Sequence, residues 1–579
     1  MKPALYLLLS IFMSTALAGP SDDFNNLVED VWNWELEQFP ERRTSLGVGG
    51  ANDTWTQLSL AAHGERDARR GGFLDALAEL NSKELGPDQQ LTYAMVQRRL
   101  EEAREYYAHG LHLMTLNMRT GPQHRHTIAE YSPFEGEEDY RDWLSRMEGI
   151  PALLADHTEL LAEGIARQRV QPRDVLQRVP AQLDNVITDQ AENSPYFKPF
   201  KTMPDTITPA TAKKLQQQAR NIIDKQVTPA YREFQTFFVE EYLPASRQAP
   251  GVGSLPGGKD IYRFLARSFT TTDKSPEQIH EIGKVEVARI LAEMELVKDS
   301  LDFEGDLNAF NNFLRTDPQF YYDSPEALLE GYQAVSKRLD PELVKLFGKL
   351  PRTPYGVKPI PAETAPDTTT AYYMRPAADG SRAGYYYVNL YRPEVRPKYE
   401  MEVLSVHEAV PGHHLQIALA QELESLPAIR RQSGVTAFTE GWGLYSESLG
   451  YQMGLYTDPY SKYGQLTYDM WRAVRLVVDT GIHYFGWERQ QAIDYFLAHA
   501  GKSEADIINE IDRYIGWPGQ ALAYKIGQMK MLELRARAKK ALGSDFDIRD
   551  FHDELLGAGA IPLDALEARM DAWISAQSN

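Results

Sequence analysis

The sequence predicts a mainly α-helical body with one small β-hairpin, and three observations carry that expectation. Apolar residues recur at helical spacing along most of the 579-residue chain. Helix-start signals recur with them: Ser275-Pro276-Glu277 and Ser324-Pro325-Glu326 each place a capping serine before proline and an acid in the first turn. One segment alone abandons helical spacing for a Thr-, Tyr- and Val-rich pattern. With 43% hydrophobic, 11% aromatic and 25% charged residues, the composition is that of a globular protein rather than a disordered, collagenous or coiled-coil chain.

In chain order, the first eighteen residues read as an export signal. Lys2 supplies the positive end, residues 4–16 a short apolar run, and Ala16-Leu17-Ala18 a cleavable small-x-small site. The expected destination is the periplasm or the exterior, and residues 19–579 are expected to form one large domain. Amphipathic helices are expected over residues 24–38, 139–163, 209–242, 276–300 and 325–339. The Pro/Gly-rich stretch 249–258 reads either as a boundary between lobes or as a loop. Residues 368–374 and 384–391 read as a hairpin whose open edge could hold an extended peptide through main-chain hydrogen bonds. After Pro397 nearly everything to residue 576 reads as helix.

Charge and composition exclude several functions. A formal net charge of −21 repels phosphate backbones, so nucleic acid is not an expected partner. No later stretch reaches the eighteen apolar residues of a membrane span, so no stable membrane insertion is expected after signal cleavage. The absence of cysteine removes disulfides, thiolate metal sites and cysteine nucleophiles together, so a metal would rest on His, Asp and Glu. Neither a Gly-x-Ser-x-Gly elbow nor a Walker phosphate loop occurs.

Three of the thirteen histidines cluster in His407-Glu408-Ala409-Val410-Pro411-Gly412-His413-His414. A zinc helix needs two histidines four residues apart, with a glutamate beside the first as general base. Here proline stands where the second histidine should be. On a straight helix His407 and His414 would lie about 10 Å apart, too far to share one ion. Pro411-Gly412 can break the helix and turn the chain back. Looping out two residues puts His413 in the second-ligand place, the preferred register; looping out three puts His414 there. Twenty-seven residues beyond His413 come Glu440 and Glu447, seven apart on one helix face. One can ligate while the other orients a histidine. Arg475, Asp479 and His483 share another helix face, as a buried ion network or as substrate contacts.

The His-Glu-x-x-Pro-Gly-His-His string, followed by Glu440-Gly441-Trp442, resembles the bacterial family catalogued as domain of unknown function 885, over residues 23–576. More remotely the arrangement is similar to the gluzincin peptidases: thimet oligopeptidase, carboxypeptidase Taq and angiotensin-converting enzyme. In the first two a second glutamate also follows the ligand glutamate by seven residues. That resemblance implies a two-lobed helical body with a central cleft and a small sheet beside the metal. It also implies an oxyanion-holding tyrosine late in the chain, here Tyr524 or Tyr514, around the Pro518-Gly519-Gln520-Ala521 string.

The expected activity is zinc-dependent hydrolysis of peptides. One Zn²⁺ would sit on His407, His413 or His414, and Glu440, with Glu408 as general base. The rival readings are a metal-dependent amidase acting on cell-wall peptides or other amides, and an inactive peptide- or metal-binding protein. Retention of Glu408 argues against the last, because a pure binding site needs no base.

Overall fold

The structure is a computed structural model and describes residues 19–362 and 365–578; the export signal read at residues 1–18 lies outside the described residues. The protein is mainly α-helical with one small three-stranded sheet. Each predicted helix forms, and the differences trace to proline. The 139–163 run divides into Glu137–Glu148 and Ile150–Ala166, because Pro151 cannot continue a helix from the preceding turn. The 209–242 run stays helical but widens into five-residue π segments at Ile223–Val227 and Phe238–Tyr242. Each π segment ends two residues before a proline, Pro229 or Pro244, whose missing N–H a widened turn accommodates. Ser275 closes a capping box with Gln278, and Ser324 accepts from the Ala327 N–H, as their sequence context predicts.

The expected hairpin is there. β2 (Ala371–Met374) pairs antiparallel with β3 (Gly384–Val388), Met374 opposite Tyr385. A strand the sequence did not announce, β1 (Tyr355–Pro359), joins β3 in parallel and puts β3 in the centre. Five residues that include Gly356 and Pro359 give too weak an alternation to read as a strand.

Two large apolar cores meet along the Pro459–His483 helix. Met470, Val474 and Val478 enter one, and Tyr468 and Leu476 the other. A helix buried on all sides must satisfy its polar groups internally. Asp469 takes Lys525 at 2.6 Å and Arg289 at 2.8 Å; Arg475 takes Glu510 at 3.0 Å. The Pro/Gly-rich stretch is a packed loop against the end of this helix, with Val252 fully buried. A Cβ on Gly251 would come 2.0 Å from the Ile482 carbonyl oxygen, so only glycine permits that approach. No helix among the described residues is long and apolar enough to cross a membrane.

Candidate metal centre

Three helices build the centre. Met401–Glu408 ends just after His407, the chain reverses over residues 409–412, and His413–Gln421 begins on the second histidine. The break is a helix end and restart, tighter than a simple outward bulge. Across it the Gly412 N–H reaches the Val406 carbonyl at 2.9 Å, six residues back instead of four. The two surplus residues are absorbed there. Gly412 is obligatory, since a Cβ would sit 1.9 Å from the His407 carbonyl oxygen. Trp442 donates its indole N–H to the Pro411 carbonyl at 2.8 Å and fixes the turn to the third helix, Thr436–Leu449.

His407, His413 and Glu440 converge, with one potential ligand atom from each lying within 4.8 Å of the others. Glu440 Oε2 stands 3.5 Å from His413 Nε2 and 3.8 Å from His407 Nε2. Atoms that bind one zinc at about 2.0–2.2 Å lie within roughly 4 Å of each other, a limit that both Glu440 separations meet, and two imidazoles with a carboxylate are a donor set of zinc type. His407 is 3% exposed, His413 11% and Glu440 21% at the side chain, so solvent reaches the group from the Glu440 side.

Electrostatics couple the same groups. Burial alone would lower the His407 pKa, but hydrogen bonds to Glu440 and Glu447 and the Glu447 charge raise it to about 9. Burial would raise Glu440, yet the two imidazoles hold it well below the ordinary carboxylate range. A cation is favoured where these carboxylates converge.

Glu447 supports a ligand from behind. Its Oε1 accepts from His407 Nδ1 at 2.8 Å, which leaves Nε2 facing Glu440. Arg472 reaches the same oxygen at 3.4 Å. Glu408, the last residue of its helix, is half-buried, and no hydrogen bond or ion pair holds its carboxylate among the described residues.

His414 does not join the group, which corrects its place among the possible ligands. Both ring nitrogens are committed. Nε2 donates to the Thr353 carbonyl at 3.0 Å, so Nδ1 must accept, and the Tyr373 hydroxyl donates to it at 2.8 Å. Burial lowers its pKa to about 4 and keeps it neutral. His414 bolts β2 to the helix whose first residue is His413. Gly384 makes room, since a Cβ there would meet Tyr373 Oη at 2.4 Å.

Of the two late tyrosines, Tyr514 is saturated. Its hydroxyl donates to Glu510 at 2.7 Å and accepts from Arg475 at 2.8 Å and Trp471 at 3.0 Å. It has no proton left for an oxyanion, a correction to its candidacy. Tyr524 accepts from Arg513 at 3.2 Å, while its own proton has no acceptor among the described residues. Tyr524 opens the Ala523–Leu542 helix, which packs on the Glu440 helix where Gly527 meets Gly441.

Arg475, Asp479 and His483 form structural contacts. Asp479 accepts from the Tyr262 hydroxyl at 2.5 Å and the Gly519 N–H at 3.0 Å. His483 accepts from the Val252 N–H and donates to the Tyr514 carbonyl, both at 3.0 Å. Arg475 lies over the Tyr524 ring at 4.4 Å and holds Glu510. All three are fully or almost fully buried, and the substrate-contact alternative finds no support in these contacts.

Gly443, Arg472 and Tyr373 also act at the centre and were not among the expected site residues. A signal existed for Gly443: a glycine inside a helix costs about 1 kcal/mol against alanine and calls for a packing reason.

No curated protein matches the chain. Among solved structures, one described as "the putative lipoprotein from Colwellia psychrerythraea" superposes with a TM-score of 0.91 at 28% identity, covering 97% of this chain and 100% of that one. A second, described as "a putative lipoprotein of unknown function from Shewanella oneidensis", gives a TM-score of 0.71 at 18% identity over 96% and 100% of the two chains, a likeness of fold alone. The family described as "Bacterial protein of unknown function (DUF885)" matches residues 40–570, and the chain belongs to that family.

Proposed function

We propose that this protein is an exported metal-dependent peptidase. The observation that carries the reading is the convergence of His407, His413 and Glu440 directly beside an unengaged Glu408. His407, His413 and Glu440 would hold one divalent cation, Zn²⁺ by donor chemistry, and that ion supplies Lewis acidity toward an amide carbonyl. Glu408 accepts a proton from the attacking water and returns it to the departing amine. Glu447 fixes the His407 tautomer, and Tyr524 offers its free O–H to the developing oxyanion. β2 is an edge strand packed against the His407 helix, suited to pairing with an extended peptide.

The rival amidase reading uses the same groups on a different amide. The test is metal analysis of the purified protein together with digestion of a peptide library, with and without a chelator. Chelator-sensitive peptide cleavage supports the proposal. Stoichiometric metal with intact peptides, but with hydrolysis of cell-wall amides, replaces it by the rival. A protein that takes up no divalent metal overturns both.

A further inference from the structure

A cavity of about 510 Å³ lies between the Leu60–Ala78, Pro87–Ala108 and Gly258–Thr270 helices and the start of the Glu440 helix. Its charge is lopsided. Five arginines line it against one acid, Glu102. Three of the five are accounted for: Arg98 pairs with Asp564, Arg99 with Glu35, and Arg430 bonds Thr92 and the Ala558 carbonyl. Arg66 and Arg70, one turn apart on the same helix, form no ion pair among the described residues. Arg66 is 3% exposed, donates once to the Gln57 carbonyl, and leaves its Nη2 buried without a partner. His63 Nε2 and His112 Nδ1, also on the wall, are buried and unpartnered too.

Buried cations and orphaned polar atoms are costly unless something completes them. The cavity adds a further attraction for negative charge. Gly434, Val435 and Thr436 line it at the N-terminus of the fourteen-residue Thr436–Leu449 helix, whose N-cap residue, Val435, offers no side-chain acceptor. Phe264, Leu265, Phe269 and Ile429 give the wall an apolar side, beside the polar Tyr106, Tyr107, Ser268 and Thr271. An inorganic ion would leave that surface wet; an organic anion would cover it.

We infer that this cavity binds a carboxylate-bearing organic ligand, its anionic end on Arg66 and Arg70 and its apolar body against Phe264, Leu265 and Phe269. Two sources share that chemistry. One is the C-terminal end of a peptide, since Thr436 precedes Glu440 by four residues, about 6 Å along the helix. An adjoining cavity, which shares Arg99, Ser433 and Gly434, is bordered by Tyr373, the partner of His414. The other source is a free small carboxylate. The inference needs no catalysis, so it stands or falls separately from the peptidase proposal.

Calorimetric titration of the full-length protein tests it with four probes: N-acetylphenylalanine, a pentapeptide ending in phenylalanine, and the carboxamide of each. The amides cannot make the charge-assisted contact, so at least one acid should bind about tenfold or more tighter than its amide. Tight binding of the peptide acid alone identifies a peptide end as the source; tight binding of both acids identifies a free carboxylate. Arg70→Gln, on the partly exposed side of the wall, should abolish the preference while leaving the amides unchanged, and Arg66→Gln should do the same if it folds. Equal binding of acids and amides by the parent protein overturns the inference, as does a preference that survives Arg70→Gln.

Discussion

The His407 imidazole lies where a side chain on Gly443 would be. A Cβ built on Gly443 comes within 2.7 Å of His407 Cε1 and 2.8 Å of Nε2. The ring cannot retreat easily, because Glu447 holds its Nδ1 at 2.8 Å from the same helix. Gly443→Ala should therefore displace the ligand nitrogen and weaken metal binding by at least about tenfold, in the range seen when supporting groups around a metal are lost. Helix propensity runs the other way, favouring alanine by about 1 kcal/mol. The expected result is a folded protein with helical circular dichroism like the parent's and reduced metal content by mass spectrometry. Parental metal affinity in this variant would mean the ring is not clamped.

The ligand set can be separated residue by residue. His407→Ala, His413→Ala and Glu440→Ala should each lose bound metal, because three protein ligands leave none in reserve. His414→Ala should keep the metal. It removes the bonds to Tyr373 and Thr353 that join the sheet to the helix, and should cost about 1–3 kcal/mol of stability. Metal titration and thermal melts distinguish the two classes. Loss of metal from His414→Ala with the fold intact would sink the assignment.

Much of this was legible in the sequence, for reasons that explain what was not. Helical spacing and Ser-Pro-Glu starts located the helices, since both are local properties of the chain. The centre was legible as a set of residue types, because Pro411-Gly412 marks a break and Glu440 and Glu447 share a face. Choosing between His413 and His414 was another matter. It depends on Tyr373 and Thr353, forty-one and sixty-one residues away in the chain, which only the folded sheet brings to His414. The same holds for Tyr514 and Tyr524, whose hydroxyls differ only in how many distant groups consume them. Strand β1 escaped because its pairing energy lies in β3, not in its own five residues.

Glu408→Gln isolates the proposed base. Glutamine preserves size and can still hydrogen-bond, but it cannot take a proton at working pH. Turnover of a peptide found in the library digest should drop at least about 10²-fold, the lower range for general-base contributions. Metal content should stay at the parent level, since Glu408 lies outside the ligand group. Stopped-time product assays beside metal analysis make the comparison. Unchanged turnover in the metal-loaded variant would remove Glu408 from the mechanism.

The last prediction concerns pH and the buried Asp479. Burial pushes its pKa from 3.8 up to about 7, outweighing the hydrogen bonds from Tyr262 and Gly519 that favour the charged form. Below about pH 4 the carboxyl is protonated in both the folded and the unfolded chain, and its burial carries no charge penalty. Between about pH 4 and pH 7 the unfolded chain gives up this proton while the folded protein keeps it. The folded state then binds more protons, so this residue's contribution to stability falls as pH rises, by on the order of a few kcal/mol in all. An asparagine side chain does not titrate, and its single carbonyl oxygen can still accept from both donors, which already converge on Oδ1 of Asp479. Asp479→Asn should therefore gain stability relative to the parent across that window, even if its amide hydrogens cost something at every pH. Urea unfolding of both proteins at about pH 4, 5.5 and 7 measures the difference. A gap that stays constant, or that moves in favour of the parent, would mean that Asp479 is charged throughout.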